Sequence, residues 1–211
     1  YRLKDKLPGQ KILSKTYKTI GLSEAAVDEA VHDVYEIQGL DFGVYAKQDG
    51  IYVRAIAKAP SEKEAATILA NAESIIQRSL SDYIWGTDED YPPERVGDLL
   101  SQYKLKLAVL ESCTGGLLGA AITEIPGCSD YFVGGAITYT NDSKINSGVP
   151  EQLLNKFGAV SEEVAKAMSI AACETYKAEC GIGVTGIAGP GDQNNIKAGT
   201  VFIGVSTPNS T

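Results

Sequence analysis

Ser112 is the side chain in this sequence best placed to act as a nucleophile. It lies in the segment ESCTGG (111–116), directly after the apolar run 107–110 and before a stretch with helical character. A turn from a strand into a helix presents backbone N–H groups at the positive end of the helix dipole, where they can bind an anion or stabilise an oxyanion. The alternative is that Ser112 and Thr114 only cap the helix, and the spacing alone favours that alternative.

Cys113, in the same turn, is a second possible nucleophile. Cysteines at helix N-termini are often reactive. The sequence shows no histidine or acidic partner for Cys113, so we interpret it as a small, partly buried packing residue and keep a Cys113 nucleophile as a minor alternative.

Lysine is the base that the sequence favours for Ser112. The only histidine is His32, which we expect to be exposed on a helix of the first half, so neither a Ser-His-Asp triad nor a histidine metal site is indicated. Lys144 follows a glycine-rich apolar run, and a buried lysine can accept a proton near neutral pH. The alternative for Lys144 is an exposed surface charge.

These candidates share one expected location with a glycine-rich loop. Ser112, Tyr139 and Lys144 stand at or just past the ends of expected strands, and ligands gather at the carboxyl ends of parallel strands. The loop TGIAGPG (185–191) follows another expected strand, and its glycines allow a ligand to approach the backbone. It lacks the P-loop and dinucleotide fingerprints, and a mobile surface turn is the alternative.

The first part of the chain is predicted to be a helix-strand-strand-helix unit. Hydrophobic spacing predicts a helix over 23–36, a hairpin over 43–58 with its turn at Asp49-Gly50, and a helix over 61–80 capped by Ser61. Residues 1–20 show no clear period. An acidic segment that ends in two prolines indicates a domain boundary near 86–93.

The second part alternates strands and helices, which predicts a three-layer α/β domain. The expected strands are 107–110, 131–139, 181–185 and 199–206, and the expected helices are 94–103, 115–125 and 161–176.

Composition limits the function classes. The net charge of −8 argues against nucleic-acid binding, and the four cysteines show no CxxC spacing that would indicate a zinc site. No apolar run is long enough to span a membrane and no signal peptide opens the chain; together with the cysteine spacing, which indicates no disulfide framework, these features predict a cytoplasmic protein without membrane association. The chain begins with Tyr1 and ends in TPNST, and we interpret it as a piece of a longer protein.

Four motifs carry a resemblance to a known family. They are ESCTGG (111–116), IPGCSDYFVGGAITYTNDSK (125–144), FGAVSEEVA (157–165) and GIGVTGIAGPGD (181–192). In this order they resemble the C-terminal domain of the CinA (competence/damage-inducible) family. The preceding unit resembles the KH-type domain of the same family, so the expected domains are a KH-type domain over 1–90 and an amidohydrolase domain over 91–211.

The resemblance implies an activity. Members of the family deamidate nicotinamide mononucleotide to the acid and ammonia in pyridine-nucleotide salvage, without a metal or cofactor. It implies Ser112 as nucleophile, Lys144 as base and Tyr139 as a catalytic partner that orients or relays. The implied partner is a small pyridine nucleotide, in a protein expected to be a homo-oligomer. The residues implied in substrate binding are Cys113, Thr114, Gly115, Gly116, Asn141, Gly186, Ala188 and Gly189.

Two departures from the family pattern leave alternatives open. Loop 191–199 lacks the further glycines usual in the family, and the arginine-bearing stretch expected after the last strand is absent from these 211 residues. A non-catalytic nucleotide-binding or regulatory module is therefore the main alternative, and a metal-dependent nucleotide pyrophosphatase ranks last. The unit 23–80 has no GXXG loop and is acidic, so RNA binding is not expected and a linker or dimerisation role is favoured.

Overall fold

The structure is a computed structural model that describes residues 9–210. The chain divides into two compact units, Tyr1–Tyr91 and Pro92–Thr211. Within the described range, no helix has the length and apolar character needed to cross a bilayer. The assignment of separate functional domains to 1–90 and 91–211 stays a prediction.

The first unit is a four-stranded sheet with two helices. Its neighbouring strands are all antiparallel, in the order β2-β3-β1-β4. In chain order the elements are β1 (Lys11–Thr19), α1 (Glu24–Ala30), a 3-10 helix (His32–Glu36), β2 (Leu40–Lys47), β3 (Gly50–Ala59), α2 (Glu62–Leu80) and β4 (Ile84–Thr87).

The helix α2 has the N-terminal cap and the buried face that its sequence predicts. Glu64 N donates to Ser61 Oγ at 3.2 Å, so Ser61 caps the helix as predicted, while Ser61 Oγ donates to Glu64 Oε1 at 3.0 Å in place of the reciprocal backbone bond of a complete capping box. Ala72 and Ile76 on the buried face pack with Tyr17 of β1 in the core of this unit.

Two strands of the first unit were not predicted. The helix-strand-strand-helix segment is confirmed, but β1 and β4 flank it, and residues 1–8 of the unassigned stretch lie outside the described residues. Lysines interrupt the apolar pattern of β1, and Gly86 interrupts that of β4. The predicted helix over 23–36 is in fact α1 followed by the 3-10 helix, in which His32 is exposed as expected.

The second unit has the predicted three-layer α/β architecture. Its sheet has the order β6-β5-β7-β8, in which β6, β5 and β7 are parallel and β8 is antiparallel. In chain order the elements are α3 (Pro92–Tyr103), β5 (Leu107–Glu111), α4 (Leu117–Thr123), β6 (Phe132–Ile137), α5 (Asn141–Asn146), α6 (Glu151–Phe157), α7 (Glu162–Tyr176), β7 (Cys180–Gly186) and β8 (Val201–Ser206).

Alternate side chains of β5 enter two different cores. Val109 packs with Leu100 of α3 on one face of the sheet, whereas Leu110 packs with Met168 of α7 on the other. Because both faces are covered, all five residues of β5 are buried, and the strand is the centre of this unit.

Three glycines bring α7 against the sheet. A Cβ at Gly181 would overlap the carbonyl oxygen of Ser169, and a Cβ at Gly183 or Gly204 would overlap that of Ala165. The backbone of α7 therefore contacts β7 and β8 directly, and these positions have no room for a side chain.

Candidate active site

The structure brings Ser112 and Lys144 together. Lys144 Nζ lies 3.0 Å from Ser112 Oγ and donates to Thr138 O at 2.7 Å. Ser112 is 7% exposed and Lys144 is 1% exposed, so this pair is shielded from solvent. The distance is within hydrogen-bond reach for proton transfer between the two groups.

The surroundings of Lys144 favour its neutral amine. No carboxylate forms an ion pair with it among residues 9–210, and its hydrogen-bonding partners are a hydroxyl and a carbonyl. Burial lowers the pKa of Lys144 below its ordinary value, an effect that nearby Cys113 partly opposes. A neutral lysine next to a serine hydroxyl can act as a general base.

The N-terminal cap of α5 fixes the position of Lys144. Thr140 caps α5, with Ser143 N donating to Thr140 Oγ1 at 3.2 Å and Thr140 N donating to Ser143 Oγ at 3.0 Å. This capping box directs the fourth residue of the helix, Lys144, inward to the end of β5. The interpretation of Lys144 as an exposed surface charge is therefore wrong.

Glu111 belongs to the site as well, although no role was predicted for it. Its carboxylate accepts hydrogen bonds from the backbone of Gly119 (2.8 Å), Leu118 (3.0 Å) and Gly116 (3.1 Å), and the residue is 2% exposed. Burial raises the pKa of Glu111, but the backbone N–H of Gly119, the Thr114 side chain and the N–H groups of Leu118 and Gly116 together outweigh burial and leave its pKa below the ordinary value. The carboxylate is therefore ionised at neutral pH. The feature of the sequence that could have identified Glu111 is that it is a single glutamate at the end of an expected apolar strand.

Two backbone amides of the ESCTGG turn have no partner among the described residues. Ser112 N donates to Val184 O, Gly115 N donates to Ser112 O, and Gly116 N donates to Glu111. The N–H groups of Cys113 and Thr114 form no hydrogen bond within residues 9–210. These two free N–H groups belong to the two residues that follow Ser112, so they are the candidates to stabilise an oxyanion formed at its side chain.

The glycines of the serine turn and of β7 allow tight packing. Gly115 and Gly116 have φ values of 62° and 104°, a region that favours glycine. A Cβ at Gly186 would lie 3.0 Å from the Sγ of half-buried Cys113, so the absence of a side chain there lets the turn pack against the end of β7.

The other predicted site residues lie at the surface. Tyr139 is 73% exposed, and its hydroxyl forms no hydrogen bond with Ser112, Lys144 or any other described residue. Asn141 is exposed at the start of α5, and Ala188 and Gly189 are exposed in the loop after β7. No hydrogen bond within residues 9–210 ties these three residues to the Ser112–Lys144 pair.

A cavity of about 210 Å³ lies beside the serine turn, but it does not include the Ser112–Lys144 pair. Its lining includes Glu111, Gly119 and Phe132. We place the chemistry at the Ser112–Lys144 pair and not in this cavity, because the hydroxyl of Thr123, the other reactive group in the lining besides the carboxylate of Glu111, donates to the backbone oxygens of Gly119 and Ala120 and has no base beside it. No cluster of three or more potential metal ligands occurs within the described part of the chain.

Comparison with known families matches both parts of the chain. Residues 90–211 match the family model described as the CinA C-terminal domain, and residues 14–86 match the one described as the KH domain of damage-inducible protein CinA.

Relatives that match nearly the whole of this chain carry related names. A competence-damage inducible protein of Moorella thermoacetica is 42% identical over 92% of this chain and 47% of its own length. A CinA-like protein of Gloeothece citriformis is 40% identical over 94% of this chain and 48% of its own length. The chain therefore spans about half the length of the relatives it matches.

Solved structures resemble a little over half of the chain. The competence/damage inducible protein of Agrobacterium tumefaciens has a TM-score of 0.54 and 37% identity, covering 56% of this chain and 73% of that one. A competence damage-inducible protein of Klebsiella pneumoniae has a TM-score of 0.54 and 30% identity, covering 56% of this chain and 74% of that one.

Proposed function

The chain belongs to the CinA family, and from this premise we propose that its second unit hydrolyses the carboxamide of nicotinamide mononucleotide to nicotinate mononucleotide and ammonia. The observation that carries the proposal is the 3.0 Å distance between Lys144 Nζ and Ser112 Oγ in a buried site. That geometry supports amide hydrolysis by a serine nucleophile, and the pyridine nucleotide is what the family resemblance implies.

The first half of the proposed reaction forms an acyl-enzyme. Neutral Lys144 takes the Ser112 proton as Oγ bonds to the carboxamide carbon, and the carbonyl π electrons move to the oxygen. The free N–H groups of Cys113 and Thr114 donate to that oxyanion. When the carbonyl re-forms, Lys144 protonates the leaving nitrogen, the C–N bond breaks and ammonia departs.

The second half restores the enzyme. Lys144 takes a proton from water, whose oxygen attacks the ester carbon, and the same two amides hold the second oxyanion. The bond between that carbon and Ser112 Oγ then breaks, the proton returns from Lys144 to Oγ, and the carboxylic acid leaves.

The exposed residues around the pair provide the proposed substrate contacts. Tyr139 and Asn141 stand at the carboxyl end of the sheet, where a ligand over the serine turn would meet them. An exposed tyrosine ring can stack on a pyridinium ring. We propose this contact for Tyr139, since its hydroxyl does not reach Lys144 in the structure.

The decisive test is ammonia release from nicotinamide mononucleotide in buffer that contains a metal chelator. Ser112→Ala should lower the rate by at least about a thousandfold, because it removes the nucleophile. Ser169→Ala is the matched control: Ser169 is also buried, and its Oγ lies 2.7 Å from Ser206 Oγ on the α7 side of the sheet. It should keep nearly full activity.

Other outcomes would change the assignment. Equal loss of activity in both serine variants would attribute the loss to stability and not to the nucleophile. A wild-type chain that binds the nucleotide, as followed by calorimetry, but releases no ammonia would contradict the amidohydrolase and support the non-catalytic binding module.

A further inference from the structure

Glu111 is a buried charge without a cationic partner. No lysine, arginine or histidine lies within ion-pair distance of its carboxylate among residues 9–210, and its oxygens are compensated by three backbone amides. A buried charge is costly, and a serine or asparagine cap would satisfy the start of a helix more cheaply. The use of a glutamate here calls for a reason beyond helix capping.

The N-cap of α4 supplies no side chain. Gly116 occupies that position in a left-handed conformation, and no side-chain cap is formed from within the helix. The capping acceptor instead comes from Glu111, the last residue of the central strand β5. The serine turn is therefore tied to the sheet at both of its ends.

Glu111 also holds the strand end that anchors the lysine. Its backbone oxygen accepts hydrogen bonds from Thr138 N at 2.6 Å and from Thr138 Oγ1 at 3.2 Å. The carbonyl of Thr138 in turn accepts from Lys144 Nζ at 2.7 Å. One residue thus connects the turn that carries Ser112 with the segment that positions its base.

We propose that Glu111 is a positioning residue: its carboxylate binds the amides of Gly116, Leu118 and Gly119 so that those of Cys113 and Thr114 stay free and directed at the developing oxyanion. This inference rests on the proposed function. It assigns Glu111 no contact with substrate and no proton transfer. Its effect is on the transition state, so it predicts a loss in kcat with little change in KM.

The test compares a carboxamide substrate with its thiocarboxamide analogue. Sulfur is larger and accepts hydrogen bonds more weakly than oxygen, so wild-type enzyme should process the thioamide more slowly in proportion to the strength of its oxyanion contacts. In Glu111→Gln the amide nitrogen faces backbone donors, which breaks at least one of the three bonds. The ratio of kcat/KM for amide over thioamide should fall about tenfold or more, with ammonia release as the readout.

A second variant covers the case in which Glu111→Gln does not fold. A Cβ at Gly119 would lie 3.3 Å from Glu111 Oε1 and must displace the carboxylate slightly, whereas alanine is a better helix former than glycine. Gly119→Ala should therefore fold and lower the amide/thioamide ratio by a few-fold. Ser169→Ala should leave that ratio unchanged.

The outcomes separate this inference from the proposed function. If wild-type protein releases no ammonia from nicotinamide mononucleotide, the proposed function fails. If wild-type protein is active but the folded Glu111→Gln and Gly119→Ala variants keep the wild-type ratio, only the role of Glu111 is overturned. A fall in kcat that is equal for both substrates would likewise reduce Glu111 to a structural cap.

Discussion

The two units of this protein each bury a lysine, in opposite surroundings. Lys18 of the first unit is 7% exposed, donates to Asp90 O at 2.6 Å and lies over the rings of Tyr52 and Trp85, at 5.1 and 5.5 Å from their centroids. Lys144 of the second unit is 1% exposed and has only a hydroxyl and a carbonyl as partners. Aromatic faces stabilise a cation, whereas the surroundings of Lys144 do not. Burial alone therefore does not make a lysine a base, because the groups around the amine determine whether its charged form is stabilised.

The largest expected effect in this comparison is the loss of activity in Lys144→Met. Removing a positioned general base should lower kcat/KM for ammonia release by about 10²–10⁴-fold. The same substitution at Lys18 should leave kcat/KM unchanged. If the two variants lost activity equally, the distinction between the two lysines would be wrong.

The pH dependence of activity should sharpen the same distinction. Because the pKa of Lys144 is lowered, the fraction of neutral base grows as pH rises through that lowered pKa. We expect kcat/KM to rise with pH and then level off below the ordinary value of 10.5. A profile that continues to rise until about pH 10.5 would show that Lys144 is not perturbed.

Lys18→Met should act on stability and not on activity. It removes a charged hydrogen bond and two cation–π contacts, which together are worth about 1–3 kcal/mol. Thermal unfolding of the first unit, followed by the fluorescence of Trp85, should shift to lower temperature. An unchanged transition would mean that the aromatic cluster contributes nothing to the burial of Lys18.

Stability should depend on pH through Lys144 in a defined direction. Between its lowered folded pKa and the unfolded value of 10.5, the unfolded chain binds more protons than the folded one, so the free energy of unfolding rises with pH. This gain is complete above pH 10.5 and absent below the folded pKa. Urea titrations at several pH values should show the gain in wild-type protein and not in Lys144→Met.

The smallest expected effect belongs to Tyr139. Since its hydroxyl lies outside the hydrogen-bond network of Lys144, Tyr139→Phe should change kcat by less than about threefold. Tyr139→Ala should instead raise KM several-fold, because it removes the proposed ring contact. A large fall in kcat for Tyr139→Phe would restore the expectation that Tyr139 relays or orients the proton.

Much of the second unit could be predicted from the sequence, because apolar strands and capped helices alternate there and turn-forming residues separate them. The α7 prediction over 161–176 is confirmed, since Ser161 caps the helix and Val164 N donates to its Oγ. The helix α6 was not predicted, and the helix expected over 115–125 is in fact restricted to Leu117–Thr123. Gly115 and Gly116 adopt positive φ values that a helix cannot include, so α4 begins after them.

The sequence was enough to predict the two reactive residues of the site but not the hydrogen bonds that hold them in place. Family motifs implied Ser112 and Lys144, and the structure places them 3.0 Å apart. Glu111 was not predicted to take part because its role depends on amides five to eight residues away, which no spacing rule for helix caps describes. The roles of the exposed residues Asn141, Ala188 and Gly189 stay predictions, because they depend on a ligand.

The close contact of α7 with the sheet has a consequence for evolvability. The backbone of α7 leaves no room for a side chain at Gly181, Gly183 or Gly204, so we expect substitutions there to be lost through instability before they can alter catalysis. We expect changes in substrate preference to accumulate instead at exposed positions such as Tyr139 and Asn141, where a new side chain displaces no buried neighbour. Lineages of this protein should therefore diverge at these exposed positions while the glycines under α7 stay the same.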